Sequence, residues 1–216
     1  CYMSDVEKEK LKEMLSLTGI KIGTPVKTKY MSPFITGNPE GLYILDMDYM
    51  LARIEVAAKF IVTTTPSKVA VCSSKDYGKT PVEKFCELTG AMPILERFMP
   101  GTFTNPLLPN YIEPALILVT DPRTDQQAVI EATRAGLPVI GISNSDNVTS
   151  KVDLVIPANN RGRKALATVY WLLAKTVLAN IGKIKLEEQP IDKIVYNEKE
   201  YLIDDFETKM LEEEVS

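Results

Sequence analysis

The residues whose types and spacing could do chemistry gather in one short segment. It reads Asn-Asn-Arg-Gly-Arg-Lys at 159–164, where a long apolar helical stretch begins. The first turn of a helix has unpaired backbone N–H groups and a positive dipole end, which attract anions and disfavour cations by about 0.3–1 kcal/mol. Because Arg161, Arg163 and Lys164 work against helix stability there, the pattern predicts an anionic partner. RNA backbone, a sugar phosphate or an acidic protein surface could supply it; alternatively, the side chains simply extend into water.

A second basic patch lies closer to the N-terminus. Lys27 and Lys29 stand beside Tyr30 in an irregular stretch. Cations next to an aromatic ring are typical of nucleic-acid contacts, but the same composition is common in solvated loops. The patch is therefore a looser candidate than the segment 159–164.

A third polar cluster follows a predicted buried strand and contains Asp121, Arg123 and Asp125. Two neighbouring carboxylates can share acid–base work, but they need a partner base, and the sequence around them offers none. We therefore predict that these residues cap a helix and face solvent.

The polar loop 143–147, Ser-Asn-Ser-Asp-Asn, follows another predicted strand. A phosphosugar could bind at such a position, and turn chemistry explains the same residue types equally well. The competing hypothesis for function is accordingly an enzyme or sensor that binds a phosphosugar through Ser143, Ser145 and Arg161.

The chain lacks the residue types that several kinds of catalytic, metal-binding and nucleotide-binding site require. The chain has no histidine, which removes imidazole triads and histidine metal ligands. Its three cysteines are scattered, and we expect Cys72 and Cys86 to be reduced core residues. Neither a phosphate-loop pattern nor a dinucleotide-binding glycine pattern follows any predicted strand. The sequence therefore predicts no cofactor and no metal.

A framework of alternating strands and helices must position the basic segments. Its clearest unit runs from residue 114 to 142: two apolar runs flank a helix that starts at Asp121 or is capped by Thr124, and that stops at Gly136. The remaining pattern predicts helices at 5–18, 46–62, 80–89 and 163–181, strands at 69–72, 92–95 and 154–156, and a hairpin at 33–46. This alternation predicts a three-layer α/β sandwich with about five mostly parallel strands, in which the helix 163–181 is the most buried.

The loop 98–109 is rich in proline and carries Phe98 and Phe103. Its prolines and glycine exclude regular structure. If the two rings are exposed they form a docking surface, and if they fold back they merely anchor the loop.

Charge divides the chain unevenly. Residues 185–216 carry eleven acidic and four basic residues, whereas 1–184 carry eighteen acidic and twenty-one basic ones, so their net charges are −7 and +3. We predict a single α/β domain over 1–184 and an acidic C-terminal arm over 185–216. The hydrophobic residues of the arm are isolated, so we expect it to make no core of its own and to become ordered on a partner.

No membrane segment is expected. The N-terminal region is charged within a few positions and has no apolar stretch, which predicts that there is no secretory signal. Cys1 is an unusual first residue, which leaves two alternatives: Met3 is the initiator, or the chain has been trimmed. The apolar helix at 165–181 contains Lys175, which indicates a core helix and not a membrane span.

Several long segments of the chain resemble one protein family. They read Gly-Leu-Tyr-Ile-Leu-Asp at 41–46, Arg-Phe-Met-Pro-Gly-Thr-Phe-Thr-Asn-Pro at 97–106, Thr-Asp-Pro-Arg-Thr-Asp-Gln-Gln-Ala-Val-Ile-Glu-Ala at 120–132, Gly-Leu-Pro-Val-Ile-Gly at 136–141 and Val-Asp-Leu-Val-Ile-Pro-Ala-Asn-Asn-Arg-Gly-Arg-Lys-Ala-Leu at 152–166. From about residue 15 to 182 the chain resembles the universal small-subunit ribosomal protein two family, whose eukaryotic member is called ribosomal protein SA or the laminin-receptor-like protein. The short form resembles the archaeal members, because the long coiled-coil hairpin of the bacterial ones has no counterpart between Ala58 and Lys68.

This resemblance implies a flavodoxin-like fold without a flavin, and no catalysis. It implies a structural constituent of the small ribosomal subunit in the cytoplasm, bound to ribosomal RNA and to other ribosomal proteins, with no DNA and no membrane as partners. A surface adhesion receptor, by analogy with the eukaryotic relative, conflicts with the expected lack of a signal or span.

Family members usually carry histidine where this chain has Lys21. The RNA-contact candidates in segments that match the family are Lys27, Lys29, Arg161, Arg163 and Lys164.

Overall fold

The computed structural model of the chain describes residues 5–37 and 39–209. Cys1 and Met3, on which the two alternatives for the start of the chain rest, lie outside the described residues, as does the end of the acidic segment at 210–216.

Strands and helices alternate through most of the described chain. The helices are α1 (Asp5–Ser16), α2 (Met47–Thr64), α3 (Lys79–Thr89), α4 (Gln126–Arg134), α5 (Arg163–Asn180) and the short α6 (Ile203–Phe206). The strands are β1 (Ile35–Gly37), β2 (Ile44–Leu45), β3 (Val69–Ser73), β4 (Met92–Leu95), β5 (Leu116–Val119), β6 (Val139–Ser143), β7 (Leu154–Pro157), β8 (Lys193–Tyr196) and β9 (Lys199–Leu202). The predicted hairpin at 33–46 is present, because β1 pairs antiparallel with β2.

The central sheet is parallel throughout and has the strand order β4-β3-β5-β6-β7. This is the order of flavodoxin-like sheets, so the predicted fold class is confirmed. The strands β3, β5 and β6 are buried along their whole length, which explains why their sequences are continuous apolar runs. The proline-containing strand β4 lies at an edge as expected, since Pro93 has no N–H for a further neighbour.

Helices cover both faces of the sheet. Along β3, Val69 and Val71 face the core that contains α2, α3 and α5, whereas Ala70 and Cys72 face the core that contains α4. This alternation is the two-residue period of a strand, and it produces three layers. The thiols of Cys72 and Cys86 are free and buried, and burial raises the pKa of Cys86 to about 12.

The helix α5 lies in the larger core, and its burial confirms that it is a core helix. Tyr170 and Trp171 are fully buried, and the Tyr170 hydroxyl lies 2.7 Å from the Thr120 hydroxyl at the end of β5. Of the helices in the described ranges, none has the length and apolar character needed to cross a membrane.

The helix α4 begins later than the sequence predicted. It starts at Gln126, and residues 121–125 form a turn, so neither a start at Asp121 nor a cap at Thr124 is correct. Asp125 occupies the N-cap position without capping through its side chain, because its carboxylate accepts hydrogen bonds from Ser74 instead. Gly136 ends this stretch with a φ of +73°, as predicted.

The proline-rich loop folds back on the sheet. The rings of Phe98 and Phe103 are buried with centroids 5.0 Å apart, so they anchor the loop and do not form a docking surface. The buried carboxylate of Glu131 on α4 accepts hydrogen bonds from the Gly101 N–H at 2.6 Å and the Thr104 hydroxyl at 2.9 Å.

The C-terminal segment joins the main core, contrary to our expectation for the described part of it. The strands β8 and β9 form an antiparallel hairpin, and Ile194, Tyr201 and Phe206 are buried in the same cluster as α5. The Trp171 indole N–H donates to the Tyr201 carbonyl at 3.1 Å. These isolated hydrophobic residues pack against α5, which has buried residues around its whole circumference. The division of the chain into 1–184 and 185–216 stays a prediction.

Candidate nucleic-acid interface

Three segments that are distant in the sequence meet beyond the carboxyl ends of β6 and β7. The Asn159 N–H donates to the Ile20 carbonyl at 2.8 Å, and the Thr24 N–H donates to the Ser145 hydroxyl at 2.9 Å. The segments 19–28, 143–147 and 158–162 therefore form one hydrogen-bonded surface at this end of the sheet.

The second basic patch, which contains Lys27 and Lys29, rests on the loop 143–147. The Thr28 N–H donates to the Ser145 carbonyl at 2.9 Å, and the Thr28 hydroxyl donates to the Asn147 carbonyl at 2.8 Å. Lys27 and Lys29 on either side of it are exposed, and neither has an acidic partner among the described residues. The Lys27 ammonium lies 5.4 Å from the centre of the Tyr43 ring.

The cationic tip, residues 159–164, sits at the beginning of α5 as predicted. Gly162 is the N-cap residue, and no side chain caps the first turn of the helix. The Asn159 side-chain oxygen instead accepts the N–H groups of Arg161 at 3.0 Å and Gly162 at 3.4 Å. The N–H groups that follow inside α5 therefore keep their affinity for an anion.

The three cations of the tip have different surroundings. Arg161 forms an ion pair with Asp146, and 44% of its side chain remains exposed. The Lys164 ammonium lies 4.0 Å from an Asp204 carboxylate oxygen and is half exposed. Arg163 is partly buried and has no ion-pair partner in the described chain. Because Arg161 contacts Asp146, the tip rests on the same loop 143–147 as the second patch, and the two predicted patches share one end of the sheet.

Two of the three charged residues of the polar cluster at 121–125 are buried, so the predicted solvent-facing cap is wrong for Asp121 and Asp125, whereas Arg123 is exposed. Asp121 is 4% exposed and Asp125 is 3% exposed. The Lys75 ammonium lies 2.6 Å from an Asp121 oxygen and donates to the Asn160 carbonyl at 3.1 Å. The Asn147 side-chain amide donates to the other Asp121 oxygen at 3.0 Å.

The two carboxyl groups of this cluster differ in pKa. Burial alone would raise the pKa of Asp121, but the hydrogen bond and the charge of Lys75 lower it below its ordinary value. Burial raises the pKa of Asp125, and its hydrogen bonds from Ser74 offset only part of this effect. The sequence contained one usable signal: Lys75 and Asp121 directly follow strands that are neighbours in a flavodoxin-like sheet.

The residues suggested for a phosphosugar do not form a ligand site. Ser143 and Ser145 are fully buried. The Ser145 hydroxyl accepts from the Thr24 N–H and donates to the Val26 carbonyl at 2.9 Å. Arg161 is paired with Asp146 and the Ser145 hydroxyl is bound to the segment 24–26, so these two groups are already engaged within the protein and do not support a phosphosugar site.

Comparison with known proteins identifies the family. The model of the family described as "Ribosomal protein S2" matches residues 18–107 and 110–180. The small ribosomal subunit protein uS2 of Nitrosopumilus maritimus is 55% identical over 210 residues, 97% of each chain. The uS2 proteins of Cenarchaeum symbiosum and Thermofilum pendens are 52% and 53% identical, over 96% and 80% of this chain and 96% and 81% of their own. The suspected resemblance to the archaeal members is thereby confirmed, and the chain belongs to the ribosomal protein S2 family.

Proposed function

We propose that this protein is a structural constituent of the small ribosomal subunit and acts in translation in the cytoplasm. The observation that carries the proposal is the family match, together with near full-length similarity to a protein named as a component of that subunit. Its partners are ribosomal RNA and neighbouring ribosomal proteins, and DNA and membranes are not among them. A member of this family is not an enzyme, and the phosphosugar alternative has no support from the buried serines.

We further propose that Lys27, Lys29, Arg161, Arg163 and Lys164 contact RNA phosphates. The contacts of Thr28 and Arg161 with the loop 143–147, and the uncapped start of α5 beside Arg163 and Lys164, favour this assignment. The guanidinium of Arg161 has five N–H donors in a planar fork, so it can keep Asp146 on one side and bind a phosphate on the other. Arg163 and Lys164 add charge where free backbone N–H groups face the same anion.

The acidic segment 185–216 plays a different part in this proposal. Its net charge of −7 opposes contact with RNA phosphates, whereas the net charge of 1–184 is +3. The region 1–184 therefore carries the RNA contacts, and the segment 185–216 presents its charged surface to protein neighbours.

The cationic tip is tested by the triple variant Arg161→Ala, Arg163→Ala, Lys164→Ala. We expect weaker incorporation into small subunits and a flatter salt dependence of binding to small-subunit RNA, because each phosphate that no longer meets a cation reduces the slope by about 0.7–0.9. Incorporation is measured by sedimentation of reconstituted subunits, and binding by filter retention at several salt concentrations.

A matched control removes three exposed cations from the opposite, amino-terminal end of the sheet: Lys68→Ala, Arg134→Ala, Lys183→Ala. It changes net charge by the same amount, so it separates a specific contact from general electrostatic attraction. If both triple variants incorporate as well as the unaltered protein, the tip is not an anchor. If the control is equally impaired, total charge and not position determines binding.

A further inference from the structure

Flavodoxin-like sheets bind their ligands outside the carboxyl ends of the strands, at the point where the strand order reverses. In this chain that point lies between β3 and β5. The loops after these two strands meet around the side chain of Lys75, which is 11% exposed. A lysine of the chain itself thus lies where this fold usually recognises a ligand.

Lys75 joins the ends of three strands. It follows β3, its ammonium pairs with Asp121 after β5 at 2.6 Å, and it donates to the carbonyl of Asn160 after β7 at 3.1 Å. The ammonium also lies 5.3 Å from the centre of the Tyr77 ring. A buried charge with these partners fixes the distance between the loops, because breaking either contact leaves a charged or polar group unpaired.

The same network extends to the loop after β6. The Asn147 amide donates to Asp121, and the Asn147 side-chain oxygen accepts from the Asn144 N–H at 2.7 Å and from the Asn160 amide at 3.2 Å. Asn160 is fully buried, and it directly precedes Arg161 in the chain. The loop 143–147 and the cationic tip are therefore both connected to the Lys75–Asp121 pair.

We infer that Lys75 is a positioning residue for the RNA interface: through Asp121 and the Asn160 carbonyl it holds the tip and the loop 143–147 in the geometry that meets phosphate. This inference rests on the proposed function for its RNA partner. Lys75 itself is shielded from RNA, and it acts by fixing the backbone from which Arg161 and Arg163 project.

The test needs variants that stay folded. Lys75→Met alone leaves the buried Asp121 carboxylate unpaired, so the informative variant is Lys75→Met combined with Asp121→Asn, which removes both charges. Lys75→Arg is the conservative variant that keeps the charge and the donors. Lys79→Met is the control, because Lys79 pairs with Glu96 at 3.2 Å at the surface and contacts no residue of the interface.

The first measurement uses the isolated protein and needs no RNA. We expect hydrogen exchange of the Asn144, Asn159 and Arg161 amides to become about tenfold faster or more in the double variant, since the segments 143–147 and 158–162 that carry these amides lose their contacts with the charge pair, while the core amide of Ile117 is unaffected. Lys75→Arg and Lys79→Met should leave all four amides unchanged. Uniform acceleration at all four amides, or none, would overturn the inference.

The second measurement is affinity for small-subunit ribosomal RNA, at a temperature well below the unfolding midpoint of every variant. The double variant should bind about tenfold more weakly with an unchanged salt slope, because no phosphate-binding cation has been removed. Lys75→Arg should bind RNA with an affinity within about twofold of that of the unaltered protein, as expected if the charge pair with Asp121 positions the interface. If the double variant binds RNA as tightly as the unaltered protein, the inference is contradicted. If the unaltered protein does not bind RNA, the proposed function is contradicted, and the positioning role of Lys75 is then judged from the hydrogen-exchange result alone.

Discussion

Lys75 and Lys175 are both largely withdrawn from solvent, and their partners differ. Lys75 has a carboxylate at 2.6 Å, whereas the Lys175 ammonium donates to the Pro190 carbonyl at 2.7 Å and lies 5.0 Å from the centre of the Trp171 ring. Burial lowers the pKa of Lys175 to about 8, and the charge of Asp192 offsets only a little of this effect. A charged lysine without an acidic hydrogen-bond partner is costly at neutral pH.

This cost should appear as a pH dependence of stability. The unfolded pKa of lysine is about 10.4, so between about pH 8 and 10.4 the unfolded state holds the proton more tightly, and stability rises with pH in that window. Relative to Lys175→Met, the free energy of unfolding of the unaltered protein should increase by about 1–2 kcal/mol from pH 7.5 to 10, after allowance for partial solvent screening. Urea unfolding at both pH values measures it.

The comparison with the variant cancels the titration of the other lysines. Lys185→Met, which replaces an exposed lysine, serves as the control and should follow the unaltered protein across this window. If the difference in the free energy of unfolding between the unaltered protein and Lys175→Met is the same at both pH values, the lowered pKa of Lys175 is contradicted.

At the scale of single residues, the sequence allowed us to identify functional candidates that are adjacent in the chain, but not pairs that only the fold brings together. Arg161, Arg163 and Lys164 could be identified because they lie together at a predicted helix start. The pair Lys75–Asp121 could not be identified from spacing, because only the order of strands in the sheet brings the two residues together. Each of them, taken alone, resembles an ordinary surface residue.

Among the elements, the C-terminal hairpin and α6 are where sequence reasoning failed. Their strands are only four residues long, and charged residues interrupt their apolar ones, which is also typical of disordered segments. The missing evidence lay elsewhere in the chain: α5 is apolar on all sides, and a helix of that kind needs cover on every face. The sheet covers one side of it, and the C-terminal segment contributes to the rest.

The C-terminal hairpin together with α6 should therefore contribute to global stability. Replacing the fully buried Phe206 by alanine leaves a cavity next to α5, and we expect a loss of about 3–4 kcal/mol in the free energy of unfolding. The control Leu202→Ala changes a side chain that is 42% exposed and should cost less than about 1 kcal/mol. Urea unfolding followed by circular dichroism measures both. Equal and small losses would mean that the segment does not unfold together with the core.

For the whole molecule, alternation of apolar runs and amphipathic helices was sufficient to predict a doubly wound sheet. Each buried strand, such as Leu116–Val119, has a composition that suits burial on both faces, and each helix returns the chain to the same edge. The family resemblance and the comparisons agree with this fold. The start of α4 was missed because tertiary hydrogen bonds to Asp121 and Asp125 override the local helix signals.

The number of candidate cations and the net charge of the molecule limit how strongly its binding to RNA depends on salt concentration. With five candidate phosphate-binding cations and a net charge of −4, binding should be only moderately sensitive to salt. We expect log K against log salt concentration to have a slope between about −2 and −4.5, which corresponds to roughly three to five neutralised phosphates. Filter binding of small-subunit RNA between low and moderate salt measures the slope. A slope near zero would exclude binding to phosphates, and a much steeper one would require cations beyond the five.

The placement of the single tryptophan has a practical consequence. Trp171 is fully enclosed, and its indole N–H is bound to the hairpin at Tyr201. Its fluorescence is thus an internal reporter that needs no label: emission should stay at short wavelength while the hairpin is docked and shift to the red once water reaches the ring. One spectrum taken on the free protein and one on its complex with small-subunit RNA, which contains no tryptophan, would tell whether RNA binding leaves this ring enclosed.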